Sequence, residues 1–401
     1  MSTEIFSREK AAGYQPDILK QMKPLVIGVG ALGQCVVRGL AAAQAGELYL
    51  VDSDSFEQHN APRSSFYPNS AEQKKWGLGK AEIVARKLRN EISWSKDPQI
   101  HFANNMIQEL GEEPFRNCTH IISAVDSTGE RGRGWIGKLA RKFGKPLVEG
   151  GFKAERVNMR TLTNHNLDVP CFNCWENHET VQEQFNCTAR ARLSEAEGFI
   201  PAIQTAAAVL GSLMVETTIQ LAHGNSELSN TQYFMDIRIG KTNLMKLVRN
   251  PKCQHSPLPK SDAVIKIGKG ETYKTLLEIL KGQGIKKPQI QLPARFVLTL
   301  TCFECGSVIQ INEPSWKVAK RILCTNCGGR YQLLKSKDSK VLAHEIFYEL
   351  SDATEEIHEI PIHQVGIIPG SLLDVTIENQ SITIEIESDG LSGSNLFTPV
   401  F

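Results

Sequence analysis

Along the first half of the chain, apolar residues come in short unbroken runs separated by helix-forming stretches. Pro24–Gly30 (PLVIGVG) has no polar alternation, the pattern of a strand buried on both faces of a parallel sheet. Ala31–Ala45 is rich in helix formers, and Gly46 follows as a stop. Glu47–Asp52 reads as a second strand, Lys80–Ile92 as a helix and Gln99–Phe102 as a short strand. His120–Val125 repeats the buried-strand pattern, Gly134–Phe143 is helical and Pro146–Gly150 returns to strand. Strand and helix alternating at this spacing predict an α/β domain, a doubly wound and mostly parallel sheet, over residues 1–257.

Two later stretches break that rhythm. Phe199–Leu221 carries one charge, Glu216, but Pro201, Gln204, Thr205, Ser212, Thr217, Thr218 and Gln220 interrupt it. It predicts a helix buried in a core or packed at a subunit interface rather than one that spans a membrane. After His255 the proline-bearing SPLPKSDAV reads as a linker, and residues 258–295 add a short helix at Thr272–Lys281. Residues 296–340 hold paired cysteines among short β-like runs, and 341–401 alternate β-branched and polar residues over Ile360–Glu387. The expected second part is therefore a smaller zinc-ribbon and β-rich module.

Composition narrows the chemistry. Lys+Arg 45 against Asp+Glu 44 leaves a net charge of +1, so no global field favours nucleic acid or a membrane surface. At 401 residues with 41% hydrophobic content, the chain is long enough for two or three domains. Its ten cysteines are grouped rather than spread: three C-x-x-C pairs account for six of them. The N-terminus MSTEIFSREK lacks a basic-plus-apolar leader, so a reducing, cytoplasmic setting and metal-ligand pairs are expected.

Gly28-Val29-Gly30-Ala31-Leu32-Gly33 follows a strand and opens a helix, and Asp52 comes nineteen residues after Gly33. Glycines let the backbone approach phosphates, the helix N-terminus favours anions, and Asp52 can bind ribose hydroxyls. Alone, this is the fingerprint of a dinucleotide-binding oxidoreductase. Asp54, Asn60, Arg63 and then Gly77-Leu78-Gly79-Lys80 shift the reading, because an Arg and a Lys near the same dipole suit a triphosphate. Asp126 ends the His120–Val125 strand at the sheet's carboxyl edge, where one carboxylate can hold Mg²⁺.

In order, FSRE, GVGALG, VDSDSFEQHNAPRS, GLGKA and SAVDSTGER resemble the ubiquitin-activating superfamily, in its prokaryotic ThiF-like adenylyltransferase branch. The resemblance covers about residues 4–256 and implies a Rossmann-like adenylation domain. It departs at Asn60-Ala61-Pro62-Arg63-Ser64, where the family often has Asn-Leu-x-Arg-Gln, and at Asp126-Ser127, where it often has Asp-Asn. The resemblance implies ATP as substrate, with Asp52 on the ribose and Asn60, Arg63 and Lys80 on the phosphates. It further implies Asp126 on Mg²⁺, and Arg8 reaching the γ-phosphate from the second subunit of a homodimer. Attack of a carboxylate on the α-phosphate expels pyrophosphate, so cations must neutralise the charge that builds there.

Cys171-x-x-Cys174 pairs with Cys253-x-His255, and three thiolates with an imidazole suit tetrahedral zinc. The family has a four-cysteine zinc site in these two places. Here Ser256 stands where its last cysteine would be, leaving His255, or a more distant residue such as His178, as fourth ligand. Cys187 lies thirteen residues after Cys174, in the loop where family members that form a thioester, or a persulfide-linked intermediate, carry a cysteine. Arg190 and Arg192 would favour its thiolate. Cys35 and Cys118 read as packing residues. Cys302-x2-Cys305-x18-Cys324-x2-Cys327 has zinc-ribbon spacing, which makes a second Zn²⁺ site. Its basic neighbours, such as Lys317 and Arg321, admit nucleic acid, but the fused adenylation domain favours protein docking. Val365–Gly370 resembles the ubiquitin-like folds that recruit conjugating enzymes.

The expected activity is adenylation of the C-terminal carboxylate, a glycine, of a ubiquitin-like protein, then transfer to Cys187 and onward to a conjugating enzyme. The alternatives are activation of a sulfur-carrier protein, of a peptide or of a small-molecule carboxylate. Beyond enzymes, a zinc-ribbon nucleic-acid-binding or scaffold protein with a degenerate nucleotide pocket remains open.

Overall fold

The structure, a computed structural model, describes residues 7–125, 132–163, 169–171, 174, 202–251, 263–268, 270–302, 304–314, 324–328, 346–350, 357–367, 372–377, 380–387 and 396–400. It divides into two compact units. One comprises Met1–Asp126, Gly137–Leu258 and Gly393–Phe401, the other Ser127–Ile136 and Pro259–Ser392.

The first unit is built on a nine-stranded sheet. Its centre is β1 (Pro24–Ile27), β2 (Glu47–Val51), β3 (Gln99–Ala103), β4 (His120–Ser123) and β5 (Leu147–Lys153). These lie parallel in the order β3-β2-β1-β4-β5, the doubly wound arrangement the alternation predicts. β1 and β4 are buried at every position, which is why both lack polar alternation. Antiparallel β6 (Arg156–Leu162), β7 (Thr231–Asp236) and β8 (Lys241–Lys246) extend one side. At the other edge β15 (Thr398–Val400) pairs antiparallel with β3, so the last described residues belong to this sheet.

The apolar stretch near residue 210 forms the Gln204–Ala222 helix, long and apolar enough by composition to cross a bilayer. It instead buries Ala206, Ala207, Leu210, Met214 and Ile219 in the first unit's core. Two glycines bring it close to the Ala31–Ala42 helix. A Cβ on Gly39 would lie 2.8 Å from Val215, and one on Gly211 would lie 2.5 Å from the Cys35 Cβ. The neighbouring helix on one side and the sheet on the other account for the apolar positions of the two covered faces, while Ser212 and Glu216 stay exposed.

His120, at the start of β4, is only 7% exposed, and burial followed by the Lys145 charge pushes its imidazole down to about 4. The unfolded chain titrates near pH 6.5, so it takes up a proton over a range where the native imidazole stays neutral. Stability should therefore be unaffected above about pH 6.5 and fall by roughly 3 kcal/mol on acidification to about pH 4. Urea titrations across that range should show a shallower loss in His120→Gln; parallel curves for the two proteins would contradict this origin.

The second unit has a six-stranded sheet. β9 (Ala263–Lys266), β10 (Gln289–Thr301), β11 (Val308–Pro314), β13 (Leu372–Ile377) and β14 (Gln380–Glu387) run in the order β11-β10-β13-β14-β9. β12 (Ile346–Leu350) also pairs with β10, and β9 is parallel to β14. The Tyr273–Gly282 helix lays Tyr273, Leu276, Leu277 and Leu280, one face at helical spacing, into this unit's core. Thr272 caps it by accepting the Thr275 N–H at 3.3 Å. The segments that sequence separates as linker, ribbon and β-rich module thus contribute strands to one sheet. The thirteen-residue β10 makes this possible, bonding β13 through its first residues and β11 through its last.

Candidate functional site

The glycine turn sits between β1 and the Ala31–Ala42 helix, at the carboxyl edge of the parallel strands. Its three glycines have different reasons to be glycine. Gly28 adopts φ +87°, and a Cβ there would lie 2.8 Å from the Ala124 carbonyl oxygen. A Cβ on Gly33 would collide with the Gly28 carbonyl oxygen, so Gly33 lets the helix close onto the turn. Gly30 faces nothing within 4 Å, which leaves its backbone open to an incoming group.

Asp52 follows β2 and holds this turn. Its Oδ2 accepts the Val29 N–H at 2.7 Å and its Oδ1 accepts the Asp54 N–H at 2.8 Å. Burial pushes the carboxyl up, against the pull of the Lys80 charge and these two N–H groups. Each oxygen retains acceptor capacity for a ribose hydroxyl.

Lys80 is placed by a short antiparallel contact between two loops. Phe56 N–H donates to the Leu78 carbonyl at 2.7 Å and Lys80 N–H to the Asp54 carbonyl at 2.9 Å, around a Ser55–Gly79 bridge. This puts Lys80 in the first turn of the Lys80–Glu91 helix, with Nζ 3.0 Å from Asp54 Oδ2 and its side chain 12% exposed. The two acids and the lysine expected from sequence are therefore brought together beside the glycine turn.

Asn60 and Arg63 share the 3-10 turn Gln58–Arg63. Asn60 is buried, and its Oδ1 accepts the Glu57 N–H at 2.9 Å, so it also braces this turn. Sequence reasoning passed over Gln34. Its amide donates to the Val29 carbonyl at 3.1 Å and accepts from the Ser64 hydroxyl at 2.9 Å and the Phe66 N–H at 3.1 Å. The only signal was a polar residue inside an otherwise apolar helix start.

Arg8 is exposed on the Ser7–Ala11 helix. The segment after it is anchored by the Tyr14 hydroxyl on Glu216 and by the Gln15 N–H on His223 Nε2 at 2.9 Å. Leu19 and Met22 then bond Gly46 and Glu47 at the amino ends of the strands, opposite the glycine turn. Among the described residues, no hydrogen bond or ion pair joins Arg8 to that turn. Asp126, Cys187, Cys253, His255 and His178 lie outside the described residues. Cys171 and Cys174 are buried with their sulfurs 3.6 Å apart, a spacing two thiolates on one metal would have.

In the second unit Cys302, Cys305, Cys324 and Cys327 place their sulfurs within 4.8 Å of one another. Cys302 and Cys327 are 3.5 Å apart, and Cys305 and Cys324 are 3.6 Å apart. Zinc bound tetrahedrally at about 2.3 Å has S···S edges of about 3.8 Å, so the four sulfurs fit that ion. The two halves have the same turn. Gly306 N–H donates to the Cys302 carbonyl and Gly328 N–H to the Cys324 carbonyl, both glycines at φ +72°. Zinc would be structural here, filled by four protein ligands with no open position.

The sequence pattern described as the ThiF family matches residues 7–256, more than half the chain and all of the glycine-turn site. The chain belongs to the ThiF family. Molybdopterin-synthase adenylyltransferase of Escherichia coli is 25% identical over 244 residues, 59% of this chain and 88% of that protein. Adenylyltransferase and sulfurtransferase MOCS3 of Drosophila sechellia is 28% identical over 197 residues, covering 48% of this chain and 40% of that protein. The NEDD8-activating enzyme E1 catalytic subunit of Caenorhabditis elegans is 26% identical over 159 residues, 36% of this chain and 35% of that protein. This chain thus spans well under two thirds of the last two. Among solved structures, Escherichia coli MccB shares the fold with TM-score 0.50 at 16% identity, covering 63% of this chain and 72% of MccB.

Proposed function

We propose that this ThiF-family protein adenylates the C-terminal glycine carboxylate of a ubiquitin-like protein, then takes the acyl group onto Cys187 and passes it to a conjugating enzyme. The observation that supports it best is the pairing of an open glycine turn, at Gly30, with a lysine held 3.0 Å from Asp54 beside the ribose acceptor Asp52. Asp52 would orient the ribose. Lys80, Asn60 and Arg63 would balance charge on the phosphates as the substrate carboxylate forms its bond to the α-phosphorus and the bond to pyrophosphate breaks. Lys80 would trade its Asp54 partner for phosphate oxygen. Asp126 would hold Mg²⁺, which neutralises phosphate charge when bound.

Arg8, which among the described residues makes no hydrogen bond or ion pair to the turn of its own chain, would serve the second copy in a homodimer. The Cys171–Cys174 pair would bind a first zinc with Cys253 and His255, and the ribbon cysteines a second. The division into an adenylation domain over 1–257 and later docking modules belongs to the same reading, as does a cytoplasmic setting. The relatives named as molybdopterin-synthase adenylyltransferase and MOCS3 support a second substrate class, a sulfur-carrier protein.

Intact-mass spectrometry with ATP and a ubiquitin-like protein ending in glycine tests the step that separates the two. A thioester adduct, cleaved by added thiol or hydroxylamine, is expected on wild type and absent from Cys187→Ala. An adduct that persists in that variant would overturn the role of Cys187, and acyl-adenylate alone would favour the sulfur-carrier class. Absence of carrier-dependent ATP–pyrophosphate exchange, together with salt-sensitive RNA binding, would move the protein to the scaffold class.

A further inference from the structure

Gln34 lies one residue past Gly33, in the first turn of the Ala31–Ala42 helix, and is 1% exposed. Its oxygen accepts from both Ser64 and Phe66, which fills its acceptor capacity, while its nitrogen donates to the Val29 carbonyl. The Val29 N–H, on the other side of that residue, donates to Asp52. Asp52 in turn accepts from the Asp54 N–H, and Asp54 pairs with Lys80. One chain of hydrogen bonds therefore runs from the segment just after Arg63, through the glycine turn, to Lys80.

We propose that Gln34 is a positioning residue that sets the Arg63 segment against the glycine turn and so makes the site select a triphosphate over a monophosphate. This rests on the reading of the turn as the nucleotide site. Arg63 ends the 3-10 turn, and Ser64, the next residue, is tied to Gln34. Phe66 is fully buried, so the same amide joins a fixed anchor to the turn. A long guanidinium side chain is useful only when its backbone origin is held, since a misplacement of about 1 Å at a reacting group can cost about 10²-fold. The ribose acceptor Asp52 is held by β2 and by the Asp54 N–H as well as by Val29, so its place does not rest on the Gln34–Val29 bond alone, which is why a monophosphate should feel the loss far less.

Calorimetric titration of the full chain with MgATP and with AMP decides the matter. Gln34→Met keeps the length and apolar bulk while removing all three bonds. It should weaken MgATP by at least about tenfold and AMP by less than about twofold. Arg63→Ala should cause a similar selective loss, and the double variant should lose little more than Arg63→Ala alone. Gln34→Glu is the second handle: its carboxylate cannot donate to Val29, but its protonated acid can. MgATP affinity relative to wild type should therefore recover on acidification. Equal losses for both nucleotides, full additivity with Arg63→Ala, or a flat profile for Gln34→Glu would each overturn the role of Gln34 while leaving the nucleotide site intact. Wild-type protein that binds neither nucleotide would overturn the nucleotide reading itself, and this inference with it.

Discussion

Removing zinc from the second unit should cost more than any single substitution in the first. Structural zinc in small domains binds with apparent free energies of about 10–16 kcal/mol near neutral pH, and much of that is folding free energy. The ribbon sulfurs stand 3.5 and 3.6 Å apart in pairs, and without the cation four thiols would crowd together just beyond the end of β10. Cys302 and Cys324 belong to a small apolar cluster with Val297 and Leu300, so the metal end is continuous with strand packing. Cys324→Ser should lower zinc content by one equivalent per chain, measured by elemental analysis. Hydrogen exchange should rise across Phe296–Pro314, the β10–β11 hairpin. The Tyr273–Gly282 helix, whose core cluster includes Phe296 and Leu298 of β10 but none of the ribbon cysteines, should lose less protection than the hairpin. Unchanged zinc content in this variant would remove the site.

Lys80→Ala should have the largest effect on the reaction. Its Nζ is held at 3.0 Å from Asp54 on the rim of the glycine turn, and its helix start is set by the Asp54 carbonyl rather than by its own side chain. The substitution should therefore leave the fold in place, which circular dichroism and thermal unfolding can check. Losing one preorganised cation aimed at developing phosphate charge should cut carrier-dependent ATP–pyrophosphate exchange by about 10²–10³-fold. Asp54 would lose its ion pair with Lys80, but it is 48% exposed and water can solvate it, so little stability should be lost. Exchange within a factor of about two of wild type would mean that Lys80 is a surface charge.

The alternation of strands and helices in the first unit was readable because buried parallel strands and their crossover helices have separate periods along the chain. β1, β2, β3, β4 and β5 all lie within two or three residues of their expected ends. The glycine turn and its acid were equally legible, since a tight strand-to-helix turn, a phosphate and a ribose each demand a residue type at a spacing. Four ribbon cysteines were legible for the same reason: two short turns of identical spacing bring their thiols within 4.8 Å of one another. The second unit was not. Its helix face at Tyr273, Leu276, Leu277 and Leu280 is plain in sequence, yet nothing local says that Ile290, Val375 and Ile384 complete the same core. β-pairing depends on partners a hundred residues away, and alternation gives a strand's faces but not its neighbour.

The amino-acid sequence by itself determined the doubly wound α/β class, the strand-to-helix glycine turn, the acid that follows the second strand and the four-thiol cluster. Each follows from a periodicity or a spacing that survives in one dimension. Tertiary structure decided the rest: which glycine is open to a ligand and which two are packed against backbone, and that Asp54 steers Lys80. It also decided that a buried glutamine joins Arg63's segment to the turn and that the final strand returns to the first sheet. Those facts depend on hydrogen bonds and contacts between residues far apart in the chain, whose directions only the folded backbone sets.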